Sequence, residues 1–170
     1  MDDEVHRFTE GAEQSDDLTM LAIRYTPKEE VDWLNESITL TNDIHQVSLL
    51  NAFVKSVAQK LEIESVLARK LQLAVEEAVV NVMDYAYPVG KDGSVTITAK
   101  GNGKNIKLVI RDSGIPFDPT VTAKTDTTLS AEERPIGGLG ILLVRELMDS
   151  INYERIDGKN VLTLTKRIKE

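Results

Sequence analysis

Two stretches of the chain repeat apolar residues at intervals of three and four. Val47, Leu50, Val54, Val57 and Leu61 form one stripe, and Leu67, Leu71, Ala74, Ala78 and Val82 form the next. Such spacing places each set on one face of a helix. The first helix is predicted behind Thr41-Asn42-Asp43, whose side chains can cap free backbone amides. The second is predicted from about Ser65 to Tyr85 and ends before Pro88 and Gly90. Shorter runs are apolar or alternate with period two: Ser37 to Leu40, Ser94 to Lys100, Ile106 to Arg111, Ile151 to Arg155 and Val161 to Lys166. These read as strands. Asn102-Gly103 and Asp157-Gly158 supply the turn chemistry of tight hairpins within the second and third of them and within the last two. Ile141 to Met148 reads as a short helix opened by Gly137-Gly138-Leu139-Gly140. Near the start, Leu18 to Tyr25 reads as one more strand, following a polar, acidic tail and closed by Thr26-Pro27.

The resulting order is helix, helix, hairpin, loop, helix, hairpin. It predicts an α+β fold: a two-layer sandwich in which a mixed, mostly antiparallel sheet is covered on one face by helices. Residues 113 to 138 lose all periodicity and collect Gly, Pro, Thr, Asp and Ser. A connection that long inside a compact domain is usually a lid or a binding loop.

Length and charge narrow the functional classes. A chain of 170 residues suits one main domain with a short appendage. Its net charge of -8 would repel phosphate backbones, so nucleic acid is not an expected partner. Cysteine is absent, which excludes disulfides and thiolate zinc sites, and His6 and His45 are too far apart in sequence for a compact ligand pair. The start is acidic where a signal peptide would be basic and then apolar. No uncharged apolar run approaches the roughly 20 residues that span a bilayer. The expectation is a cytoplasmic protein without a membrane segment.

Three clusters could carry chemistry. Glu77 and Asn81, four apart on the predicted second helix, lie one above the other and could hold a cation and a water. The same spacing also fits a solvated helix face with an ordinary hydrogen bond. Asp112-Ser113-Gly114 follows directly on a buried-looking strand, where a carboxylate can accept from a ligand amine while the glycine admits close approach; a capped turn reads equally well. The glycines of 137 to 140 could aim helix amides at a phosphate, or simply form a hinge. Just before them, Arg134 could reach a terminal phosphate or pair with Glu132 or Glu133.

The three clusters together resemble a known family. EEAVVNVMDYAY looks like the asparagine box of the GHKL (Bergerat) ATP-binding fold, DSGIPFDP like its first glycine box and RPIGGLGILLVRELMD like its second, in the family's order. The PFDP ending and the short length are most similar to anti-sigma factor serine/threonine kinases. One departure is Asp84-Tyr85-Ala86-Tyr87, where that family often carries His-Ala-Tyr or His-Gly-Tyr. The resemblance implies that Asn81 ligates a magnesium ion on the ATP phosphates and that Glu77 is the general base. It further implies that Asp112 accepts from the adenine amine, and that Gly114, Gly138 and Gly140 line the nucleotide with Arg134 nearby. Residues 28 to 170 would be the kinase domain.

The implied activity is magnesium-ATP-dependent transfer to a serine or threonine of a small anti-anti-sigma (STAS-like) protein, with a sigma factor as a further partner and a homodimer as the assembly. An alternative is a nucleotide-binding module that sequesters its partner without catalysis. Residues 1 to 27 have a resemblance of their own: FTEGAEQSDDLTMLAIRY looks like the last strand of a PP2C-type phosphatase, with Asp16 at the place of a metal ligand. Asp16 and Asp17 alone cannot build a two-metal site, so no phosphatase activity is expected.

Overall fold

The computed structural model describes residues 33–120 and 138–169. The expected strand Leu18 to Tyr25, Asp16, and residues 121 to 137 of the expected loop, with Arg134 and Gly137, lie outside the described residues. The elements run β1 (Leu34–Thr41), α1 (Val47–Lys60), α2 (Ser65–Tyr85), β2 (Ser94–Gly101), β3 (Asn105–Asp112), α3 (Gly138–Leu147), β4 (Ser150–Ile156) and β5 (Lys159–Arg167). The strands form one sheet in the order β1-β2-β3-β5-β4, and every described pairing is antiparallel.

The apolar stripes foreseen in the sequence are the ones that bury. Leu50, Val54 and Val57 of α1 with Leu71, Ala74 and Ala78 of α2 pack into a single core with Ile97, Leu108, Ile110 and Leu164 of the sheet. Burial of this kind supplies most of the helices' stability, because isolated helices of these lengths are marginal in water.

Local chemistry differs from expectation at the start of α1, and the cap of α2 is one the sequence reading did not name. Asp43 does cap, accepting from the His45 amide at 2.9 Å, but it caps a short 3-10 turn, Ile44–Gln46, that precedes α1. α2 is capped by Glu64, whose carboxylate accepts from the amides of Val66 at 3.1 Å and Leu67 at 3.2 Å. Those bonds favour its charged form and hold its pKa below the usual carboxylate value. The hairpin turns are as predicted, with Gly103, Asp157 and Gly158 at positive φ.

Candidate functional site

The C-terminal half of α2, the loop after β3, the first turn of α3 and the β4–β5 hairpin enclose one cavity. Asn81, Asp112, Ile141 and Asn160 all line it, so the asparagine cluster, the Asp-Ser-Gly turn and the glycine-led helix meet in space. Its walls are otherwise mainly apolar, with Ala78, Ile110 and Leu162 buried and Tyr85 and Phe117 more exposed. An apolar cleft with a few convergent polar groups is the usual form of a small-molecule site.

Asp112 is the polar anchor of that cleft and is 5% exposed. Its Oδ1 accepts from the Gly114 amide at 2.8 Å and from Asn160 Nδ2 at 2.8 Å. Its other oxygen takes no hydrogen bond from the described residues, which leaves it for a ligand donor. Asp112 and Asn160 face each other across β3 and β5, and Asn160 faces Arg155 across β5 and β4. Sheet register therefore builds this side of the site.

The glycine at 114 has a reason that spacing did not show. A Cβ there would overlap the carbonyl oxygen and Cβ of Ala86, at the end of α2. The Ile115 amide donates to that carbonyl at 2.8 Å. Tyr87 ties the same loop to β2: its hydroxyl donates to Ser94 O at 2.7 Å and accepts from the Ser113 amide at 3.1 Å. Gly114 thus allows the turn to dock on α2, and a docked turn orients Asp112.

On the other side, Glu77 and Asn81 share a face of α2 as predicted, both half-buried. The Asn81 amide nitrogen donates to the backbone carbonyl of Glu77 at 2.7 Å, which leaves its Oδ1 as the atom able to accept or ligate. The Glu77 carboxylate takes no hydrogen bond from the described residues. Gly140 lies directly against the pair, where a Cβ would overlap Glu77 Oε2 and sit 3.4 Å from Asn81 Nδ2. α3 begins at Gly138, so Gly138 and Gly140 lie in its first turn.

The sequence reading missed Asn160 and Arg145. Asn160 precedes the predicted strand and adjoins the Asp157-Gly158 turn, where a polar residue reads as turn chemistry, so nothing local marked it as buried. Arg145 of α3 donates to the carbonyls of Pro119 (3.1 Å) and Thr120, fastening the end of the loop after β3 to α3.

The donor set fits a nucleotide with a hard divalent cation. A magnesium ion bound mainly by phosphates and water needs only one or two protein oxygens, and Asn81 Oδ1 would supply one beside a helix start that favours negative charge. Among the described residues no cluster of three or more His, Cys, Asp or Glu could hold a metal by itself.

Comparison with known proteins points the same way. A family model for the histidine kinase-like ATPase domain matches residues 40–166. The chain is 33% identical over 95 residues to the serine/threonine-protein kinase BtrW of Bordetella bronchiseptica, covering 56% of this chain and 67% of that protein. It is 28% identical over 128 residues to the serine-protein kinase RsbW of Listeria monocytogenes, covering 73% and 81%. In fold it is similar to the solved RsbU and RsbW domains of a Mycobacterium tuberculosis protein, with a TM-score of 0.56 and 15% identity over 79% of this chain. This chain covers 32% of that solved chain.

Proposed function

The chain belongs to the histidine kinase-like ATPase domain family, and from that premise we propose a magnesium-ATP-dependent serine/threonine protein kinase of the anti-sigma factor type. Its substrate is a small anti-anti-sigma, STAS-like protein, within a partner-switching system in the cytoplasm. The carrying observation is that Asn81, which with Glu77 packs against Gly140, lines the cavity that Asp112 anchors.

The residues divide the work. Asp112 and the apolar walls receive the base, with Gly114 letting the anchor loop close on α2. Asn81 presents Oδ1 to the cation, and the first turn of α3, with Gly138 and Gly140, directs amides toward the phosphates. Bound magnesium offsets charge on the phosphate oxygens. Glu77, one helical turn from Asn81, accepts the proton of the incoming serine hydroxyl as its oxygen bonds to the terminal phosphorus and ADP leaves. Arg134 serves the terminal phosphate from the segment before α3.

The remaining proposals are coarser. The kinase domain is residues 28–170, and residues 1–27 are a tail that resembles the last strand of a PP2C-type phosphatase. A homodimer is the assembly, and a sigma factor is the second partner.

The test combines calorimetric titration of magnesium-ATP with transfer of labelled terminal phosphate to a STAS-like protein. Asn81→Ala and Asp112→Asn should each abolish binding. Glu77→Gln should bind ATP and transfer nothing. If wild-type protein binds ATP but phosphorylates no STAS-like protein while sequestering a sigma factor, the chain is a nucleotide-set binding module. No binding at millimolar ATP would remove the assignment.

A further inference from the structure

Behind Asp112 lies a set of side chains that none of the sequence clusters contains. Asn160 is 5% exposed and makes four hydrogen bonds. Its Nδ2 donates to Asp112 Oδ1 at 2.8 Å and to Ile115 O at 2.9 Å. Its Oδ1 accepts from the Tyr153 hydroxyl at 2.8 Å and from Arg155 Nη1 at 2.6 Å. Reversing the amide would set oxygen against two acceptors and nitrogen against a guanidinium, so only one orientation satisfies all four. The same Arg155 nitrogen also donates to Gly114 O at 3.0 Å. One guanidinium therefore braces both donors that hold Asp112 Oδ1: the Asn160 amide and the turn carrying the Gly114 amide.

We propose that Asn160, braced by Arg155 and Tyr153, is a positioning residue that makes the cavity select adenine over guanine. The inference rests on the nucleotide-site reading given above and adds to it the device that sets base choice. With Oδ1 saturated, the Asp112 carboxylate cannot turn without losing two hydrogen bonds, so its second oxygen faces the ligand as a fixed acceptor. A fixed acceptor in an apolar cleft requires a donor. Adenine offers an exocyclic amine at the ring carbon where guanine carries a carbonyl oxygen, and two opposed acceptors leave buried groups unpaired. Without the Asn160 amide the carboxylate gains rotational freedom, and rejection of the carbonyl weakens along with acceptance of the amine.

The proposal is tested by measuring ATP and GTP dissociation constants for the wild type, Asn160→Ala and Arg155→Ala, with thermal melts beside them. Wild-type protein should favour ATP by at least about 100-fold, and Asn160→Ala should cut that ratio about tenfold, mainly through weaker ATP binding. Arg155→Ala, at an exposed position, should move the ratio the same way by about threefold, and it decides the matter alone if Asn160→Ala does not fold. Equal weakening of ATP and GTP would assign Asn160 a merely structural role and overturn the proposal, as would an unchanged ratio in both variants. Wild-type protein that binds neither nucleotide defeats the site reading itself, and the proposal falls with it. Wild-type protein that binds ATP with ratios unmoved in the variants removes the positioning role alone.

Discussion

The two ends of the candidate site are built differently. At the Asp112 end nearly every polar group is already engaged within the protein: Asn160, Tyr87, Gly114 and the Ala86 carbonyl lock the turn to α2 and to both flanking strands. At the Glu77 end, Asn81 bonds only to its own helix and the Glu77 carboxylate accepts nothing from the described residues. A half-buried carboxylate is costly to leave without partners. The difference indicates that the Asp112 end is preorganised by folding, while the Glu77 end is left to be completed by what binds there. Substitutions at the first end should therefore cost stability and affinity together, and substitutions at the second should cost activity with the fold intact.

The sharpest separation comes from Glu77→Gln, which keeps the shape and removes the proton acceptor. Phosphoryl transfer should fall by about 10²–10⁴-fold while the melting temperature and ATP affinity stay near wild type; a rate within a few fold of wild type would remove Glu77 as the base. Next is a pair of glycine substitutions. Gly114→Ala forces a Cβ into the Ala86 backbone and should destabilise the fold by about 1–3 kcal/mol in urea titrations. Gly140→Ala meets the movable end of the Glu77 side chain, so stability should hold while transfer drops by about tenfold. If the two glycines behaved alike, the contrast between the ends would fail.

Tyr87→Phe removes a hydroxyl that bridges β2 and the anchor turn and should cost about 1 kcal/mol, with a modest loss of ATP affinity. The smallest effect belongs to Asp149, remote from both ends. Its carboxylate accepts from the Arg167 amide at 2.7 Å and from Lys166 Nζ at 2.6 Å, which holds its pKa below the usual carboxylate value. A depressed folded pKa contributes stability that is present above the unfolded value of about 3.9 and is lost as pH falls through the lower folded one. Asp149→Asn should therefore flatten slightly the loss of stability below about pH 4 and leave nucleotide affinity unchanged; its side chain is half exposed, so solvent screens the effect.

Much of this was legible along the chain because it is local. The stripes of α1 and α2 follow from a 3.6-residue period, and the hairpins from Asn102-Gly103 and Asp157-Gly158, so their elements fall within a few residues of expectation. Glu77 and Asn81 share a face because one turn of helix separates them. Glu64 was not visible as the cap of α2, since a glutamate caps only when the backbone before the helix swings its longer side chain back onto the first amides.

What the sequence by itself determined was the set of elements, their buried faces and the three clusters that carry the family resemblance, all written in short-range periodicity and turn chemistry. Only the tertiary structure decided why Gly114 must be glycine, that Gly140 comes to rest on Glu77, and that Asn160 and Arg155 stand behind Asp112. Apart from the Arg155–Asn160 bond across the last hairpin, those contacts join residues dozens of positions apart. They exist because antiparallel register aligns β3, β4 and β5 and because the core packs α3 along α2, and no local pattern encodes either.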